Sequence, residues 1–233
     1  MVLTSEQLLC VLDQGDGTTG AERGVWLWRT TDPGISLESL WGAPVGCLAH
    51  AMLDLREAML GPQLELHDRC PRCDEEIEFT VSIPEIRLAQ PPMDNPPFDV
   101  EIDGQPVTLR RVSCDDLRRV ERGEITDRAG VIARCVSQGL EGLDEAGHGS
   151  IDAILGERDP QADVTFSLAC PACAHSWEGV FDPCEVVWTE LRARAKQLLF
   201  DVDALARAYG WSEAEVLKLS PPRRRAYLEL LDR

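Results

Sequence analysis

Two copies of one short motif, Cys70-Pro71-Arg72-Cys73 and Cys170-Pro171-Ala172-Cys173, constrain this chain more than any other feature. Each lies between runs that alternate apolar and polar residues. Gln63-Leu64-Glu65-Leu66 precedes the first and Glu76-Ile77-Glu78-Phe79-Thr80-Val81 follows it. Asp163-Val164-Thr165-Phe166-Ser167-Leu168 precedes the second and Ser176-Trp177-Glu178-Gly179-Val180-Phe181 follows it. Period-two alternation predicts strands, so each motif is expected to be the turn of a strand–knuckle–strand unit. Such a turn aims two thiolates at one point, and two knuckles complete a tetrahedral four-sulfur zinc site. We therefore expect Cys70, Cys73, Cys170 and Cys173 to share one structural zinc. Separate binding by each knuckle stays open on sequence alone.

The spacing is unusual, because 96 residues lie between Cys73 and Cys170. Loop-closure cost rises only logarithmically with length, so a folded insertion between the knuckles is tolerable. The rival chemistry is thiol redox. There a C-P-x-C turn opens a helix whose N-terminus lowers the thiol pKa. Here Asp74-Glu75-Glu76-Ile77-Glu78-Phe79 follows instead, which alternates and sets acids beside the thiols. A catalytic zinc keeps an open position, whereas four cysteines close the shell. The deaminase pattern needs Pro before the first Cys, and here Pro lies inside each pair.

Charge narrows the partners. The chain has 23 basic and 41 acidic residues, net −18. Such a chain repels phosphate backbones and anionic lipid, which argues against nucleic-acid and membrane roles. The segment from Arg192 to Arg233 holds nine basic and six acidic residues. It is net positive, while residues 1–191 hold 14 basic and 35 acidic residues. No export signal and no membrane span stand out, so a reducing cytoplasmic setting is expected. In that setting Cys10, Cys47, Cys114, Cys135 and Cys184 are expected to be small core residues.

Along the chain the expected class is α+β: a zinc-ribbon-like knuckle pair with short β-hairpins, surrounded by helices, and a C-terminal helical extension. Residues 1–62 read as an N-terminal helical region. Thr4 and Thr19 open capping boxes, with a stop at Gly15, Ser36 starts a helical turn, and Pro44 starts a longer helix. His50 on that helix reads as an ordinary half-buried histidine. Residues 63–182 read as the knuckle region, with a hairpin and helices inserted over 90–160. Pro91 to Pro97 contains four prolines and predicts a stiff extended linker. Asp103-Gly104 predicts a hairpin turn. Helices are expected from Ser113 to about Glu121 and from about Asp127 to Gln138. Gly139 to Gly149 reads as a loop, and Ser150 as the cap of a short helix. Residues 183–233 read as the helical extension, with a long helix to Tyr209 stopped by Gly210. Trp188, Leu191, Ala195, Leu198, Val202, Leu205 and Tyr209 form a heptad seam. It packs either on the protein's own helices or on another chain.

The C-terminal run Ala204-Leu205-Ala206-Arg207-Ala208-Tyr209-Gly210-Trp211-Ser212-Glu213-Ala214-Glu215-Val216-Leu217, followed by Leu219-Ser220-Pro221 and Arg224-Arg225-Ala226-Tyr227-Leu228-Glu229-Leu230, resembles proteins of contractile phage tails and related injection systems. Asp103-Gly104 through Leu109-Arg110 to Arg134-Cys135-Val136 is similar to the T-even-type baseplate hub assembly chaperone family. The paired C-P-x-C knuckles resemble a zinc-containing branch of that group, in which a glycine often follows each motif. Here Asp74 and Ala174 stand at those positions. The resemblance covers most of residues 45–233. It implies a non-enzymatic accessory protein whose partners are other baseplate or hub proteins, with no small-molecule substrate.

Two other classes compete with that expectation. A zinc-ribbon regulator could bind nucleic acid through the C-terminal helices and Arg223-Arg224-Arg225. A metal- or thiol-dependent enzyme would need a catalytic constellation, and no G-x-S-x-G, phosphate loop or H-E-x-x-H is present. His67 and His175 flank the knuckles without an evident nucleophile or base beside them. If the extension binds a partner, its aromatic and arginine side chains are the expected anchors: Trp188, Leu198, Tyr209, Trp211, Arg224 and Tyr227.

Overall fold

The first helices begin where their sequence caps stand. In the computed structural model, which describes residues 2–14, 17–139 and 145–231, Thr4 accepts the Gln7 N–H and Gln7 Oε1 accepts the Thr4 N–H. This reciprocal box opens α1 (Ser5–Asp13), whose expected stop at Gly15 lies outside the described residues. Thr19 and Glu22 form the same box at the start of α2 (Gly20–Thr31). Ser36 caps α3 (Leu37–Gly42), and α4 (Val45–Leu60) follows Pro44 and ends at Gly61, where φ is 90°. The first knuckle hairpin is β1 (Gln63–Arg69) with β2 (Glu76–Ser82), antiparallel, followed by the single turn α5 (Ile83–Ile86).

The proline-rich segment carries no helix or strand and is tied down. Asn95 exchanges hydrogen bonds with the Arg111 backbone, and the Arg111 guanidinium donates to the Pro92 and Asp94 carbonyls. Beyond it, β3 (Phe98–Ile102) and β4 (Gln105–Leu109) pair through a turn in which Asp103 and Gly104 both have positive φ, 51° and 77°. This is the backbone that an Asp-Gly hairpin turn requires. Next come α6 (Cys114–Glu121), capped by Ser113, and α7 (Arg128–Cys135), capped by Asp127.

The expected helix to Gln138 is corrected here. It stops at Cys135, and Val136–Gln138 forms β5, which adds to β4 with Val136 opposite Leu109. The expected loop to Gly149 is also corrected, because α8 (Glu145–Arg158) already begins at Glu145. Ser150 lies inside α8 and donates to the Ala146 carbonyl, so it is not a cap. Burial outweighs Gly147, Gly149 and Gly156, the three glycines of this helix. Ile151 and Leu155 on α8 join Ile102, Val107, Leu109, Ile132 and Cys135 in a core belonging to the insertion.

A 3-10 turn (Pro160–Ala162) leads into the second knuckle hairpin, β6 (Val164–Ala169) with β7 (Ser176–Phe181). Then come α9 (Pro183–Tyr209), α10 (Glu213–Leu217) and α11 (Pro221–Leu231). The chain is thus α+β, with small antiparallel sheets among helices. Among the described residues no helix is long and apolar enough to cross a membrane.

Two compact units divide the chain: Thr19–Glu185, and Val2–Thr18 together with Val186–Arg233. In the first, α2, α4 and α6 pack together over Val25, Leu27, Leu48, Met52 and Leu55. Each such side chain contributes roughly 1.5–3 kcal/mol on burial. In the second, the α9 seam residues Trp188, Leu191, Ala195, Leu198, Val202 and Leu205 are buried, whereas Tyr209 is exposed. Cys47, Cys114, Cys135 and Cys184 are core thiols as expected, but Cys10 is exposed, a correction. Cys10 sits on the outward side of an amphipathic helix, whose inward side is carried by Leu8 and Val11.

Candidate metal centre

The two hairpins bring four sulfurs to one point. Sγ of Cys70 lies 3.7 Å from Sγ of Cys173, and Sγ of Cys73 lies 3.5 Å from Sγ of Cys170. All four sulfurs lie within 4.8 Å of one another. A tetrahedron of metal–sulfur bonds about 2.3 Å long has sulfur–sulfur edges of about 3.8 Å. The arrangement can therefore hold one metal ion between the two knuckles. Cys70 and Cys170 are buried, Cys73 is exposed, and Cys173 lies between.

Each knuckle is built the same way. The Cys70 N–H donates to the Glu75 carbonyl, and the Asp74 N–H donates to the Cys70 carbonyl. In the second knuckle Cys170 donates to His175, and Ala174 donates to Cys170. The residue after each motif takes positive φ, 61° at Asp74 and 57° at Ala174. The cross pairs Cys70–Cys173 and Cys73–Cys170 exchange when one knuckle is mapped onto the other. The site is thus two equivalent half-sites facing each other. The left-handed backbone costs alanine roughly 1–2 kcal/mol. Ala174→Gly is accordingly expected to stabilise the fold by about 1 kcal/mol, read as a raised midpoint in denaturant. A lowered midpoint would show that Ala174 makes contacts outweighing its strain.

The hairpins also touch through side chains that sequence reading did not single out. Trp177 Nε1 donates to Asp68 Oδ2 at 3.1 Å, joining the second hairpin to the first. Phe79 meets Phe166 edge-on at 5.6 Å between centroids, and Phe166 meets Phe181 at 5.7 Å. A Cβ at Gly179 would fall 2.8 Å from Asp68 Oδ2 and 2.8 Å from Leu168 Cδ1, so a larger residue there requires these two side-chain ends to shift. Alternation signals the faces carrying these residues, but nothing local to either strand names the partner on the other.

Electrostatics favours a cation at the centre. Burial works to raise the Cys70 thiol, but the N–H groups of Arg72 and Cys73 and the facing thiols bring it down to about 7. At Cys73 the Glu75 N–H works downward and is outweighed by the Cys173, Cys170 and Cys70 thiols, which push it up to about 12. The first thiolate is stabilised, and the next one is resisted by its neighbours. Like charges so close cannot all ionise together unless a cation offsets them. Each knuckle is followed by a strand, β2 or β7, and not by the helix that a redox C-P-x-C turn opens. Among the described residues His67 and His175 are not part of the ligand cluster.

The six extension residues fall into two groups. Trp188, Leu198 and Arg224 are buried, and Arg224 Nε faces Asp201 Oδ2 at 3.5 Å. Tyr209, Trp211 and Tyr227 form one aromatic cluster, with centroids 4.7, 4.9 and 5.6 Å apart. Tyr209 remains exposed, and the other two are half-buried. The structure therefore brings the four cysteines together at one centre, and three of the six extension residues at another place. No family model, curated protein or solved structure matches this chain.

Proposed function

We propose that the chain is a non-enzymatic structural or assembly protein of a contractile-tail or injection-system baseplate, held together by one structural zinc. The observation that carries the structural role of the metal is the four-cysteine cluster itself. Four thiolates fill a tetrahedral shell and leave no position for substrate or activated water. Thiolate softness and tetrahedral geometry favour zinc among the common divalent ions. The baseplate assignment rests on the resemblance of the extension and of the hairpin region to that family. Partners are other baseplate or hub proteins.

The extension offers surface for such a contact. Leu199, Phe200, Leu230 and Leu231 are exposed, Phe200 to 69%. Co-expression with the hub and baseplate proteins of a contractile system, followed by affinity capture, tests the reading. Wild-type chain is expected to retain one of them. Phe200→Asp alters an exposed position, so it is expected to lose that partner at least ten-fold while metal content and melting stay unchanged. Capture of no baseplate protein, or equal capture by the variant, removes this reading of the extension.

A further inference from the structure

A cleft of about 200 Å³ opens on the first unit, away from the cysteine cluster. Its lining includes the buried side chains of Leu48 and Ala49 on α4, Phe181 at the end of β7, and Cys184 at the start of α9. For scale, a dry cavity of about 150 Å³ holds one benzene. The volume therefore suits a single leucine- or phenylalanine-sized group and is below that of a drug-sized ligand site. Val180 lines the cleft while 79% exposed, so an apolar rim continues the apolar interior out to solvent.

Two carboxylates, Glu121 and Asp182, also line the cleft, and both residues are exposed. They converge: a Cβ on Gly20 would lie 2.9 Å from Glu121 Oε1 and 3.8 Å from Asp182 Oδ2. Neither forms an ion pair among the described residues. Glu121 accepts the Ala21 N–H at 2.9 Å, and Asp182 accepts those of Cys184 at 2.8 Å and Glu185 at 3.2 Å. The arginines of the same region are committed elsewhere, Arg23 to Glu185 and Arg122 to Glu22. Two adjacent anions therefore edge an apolar slot with no cation of their own, on the strongly acidic part of the chain.

We infer that this cleft is a docking site for a basic peptide segment of a partner, with one leucine- or phenylalanine-sized anchor in the slot and an adjacent arginine or lysine on Glu121 and Asp182. The inference deepens the binding-protein reading above and rests on it. Charge complementarity selects the basic occupant, and the slot volume selects the anchor. An acidic segment would meet two like charges and the field of the surrounding acidic surface.

The test uses the full chain and a short end-capped fluorescent peptide carrying one leucine between two arginine pairs, followed by anisotropy at low ionic strength. The peptide is expected to bind and to weaken as salt rises. Replacing its leucine by glycine is expected to weaken binding roughly ten-fold or more. Replacing its arginines by glutamates is expected to abolish binding. Val180→Lys puts a cation at an exposed rim position and is expected to weaken binding at least ten-fold with metal content and circular dichroism unchanged. Asp182→Asn keeps an acceptor for the helix N–H groups and is expected to weaken binding several-fold. No binding of the leucine–arginine peptide overturns the inference. So does equal binding of the glycine peptide, or equal binding by Val180→Lys, since arginines would then only adhere to an acidic surface. Baseplate capture and metal analysis are separate measurements, so failure here is distinguishable from failure of the broader reading.

Discussion

Cys70→Ser is expected to abolish nearly all metal binding and to lower the melting temperature of the first unit sharply. Metal analysis of the wild-type chain should return about one equivalent of zinc, because the four sulfurs share a single centre. Structural zinc sites of this kind contribute apparent binding energies of about 10–16 kcal/mol at neutral pH, and that energy is folding energy. A domain has only about 5–15 kcal/mol of net stability to lose. A strong chelator should therefore lower the melting temperature sharply and broaden the transition. Acid should act in the same direction, since protons compete with the metal for each thiolate. Two equivalents of zinc, or an unchanged melting curve after chelation, would refute a shared structural site.

Asp116→Ala is expected to cost about 3–5 kcal/mol, the scale for breaking a buried charge network from one side. Asp116 is fully buried beneath Arg110 and Arg134. Arg110 reaches it through two hydrogen bonds, 2.5 and 3.1 Å, and Ser113 donates both its N–H and its hydroxyl, at 2.9 and 2.7 Å. Burial alone would raise this carboxyl. Arg110, Ser113 and Arg134 overcome burial and hold it well below the usual carboxylate range. A depressed folded-state pKa means that the stabilisation is complete above the unfolded value near 4. It is lost as pH falls from there through the folded value. Stability measured by urea unfolding should therefore drop below about pH 4 in the wild type and drop less in Asp116→Ala. Identical pH slopes for the two proteins would show that Asp116 does not carry this linkage.

The cysteine cluster and its flanking strands were legible because every cue is local. The knuckle turn, the alternation on both sides and the absence of a following helix are all written within about a dozen residues. The capping boxes at Thr4 and Thr19 and the helix start at Ser113 read correctly for the same reason. The errors arise where a distant partner decides. Val131, Ile132, Cys135 and Val136 continue a helical period, yet Val136 pairs with Leu109 and becomes a strand residue. Gly147 and Gly149 argue against a helix, yet Ile151 and Leu155 gain enough burial against β3, β4 and α7 to keep one. The α9 period identifies which side is apolar and says nothing about what covers it. The cluster around Asp116 was visible only as a cap, because Arg110 and Arg134 reach it from separate elements. Glu121 and Asp182 likewise converge only in three dimensions.

The 96-residue separation of the knuckles has a consequence during synthesis. At roughly 5–20 residues per second, Cys170 leaves the ribosome about 5–20 s after Cys73. Throughout that interval the first knuckle is a nascent half-site with two thiols and no counterpart. The insertion, with its own core, can fold in the meantime and bring the two ends closer. A metal captured early by Cys70 and Cys73 alone would be weakly held and exchangeable. It would be locked only when the second hairpin arrives, so metal retention would distinguish a completed chain from a stalled or truncated one.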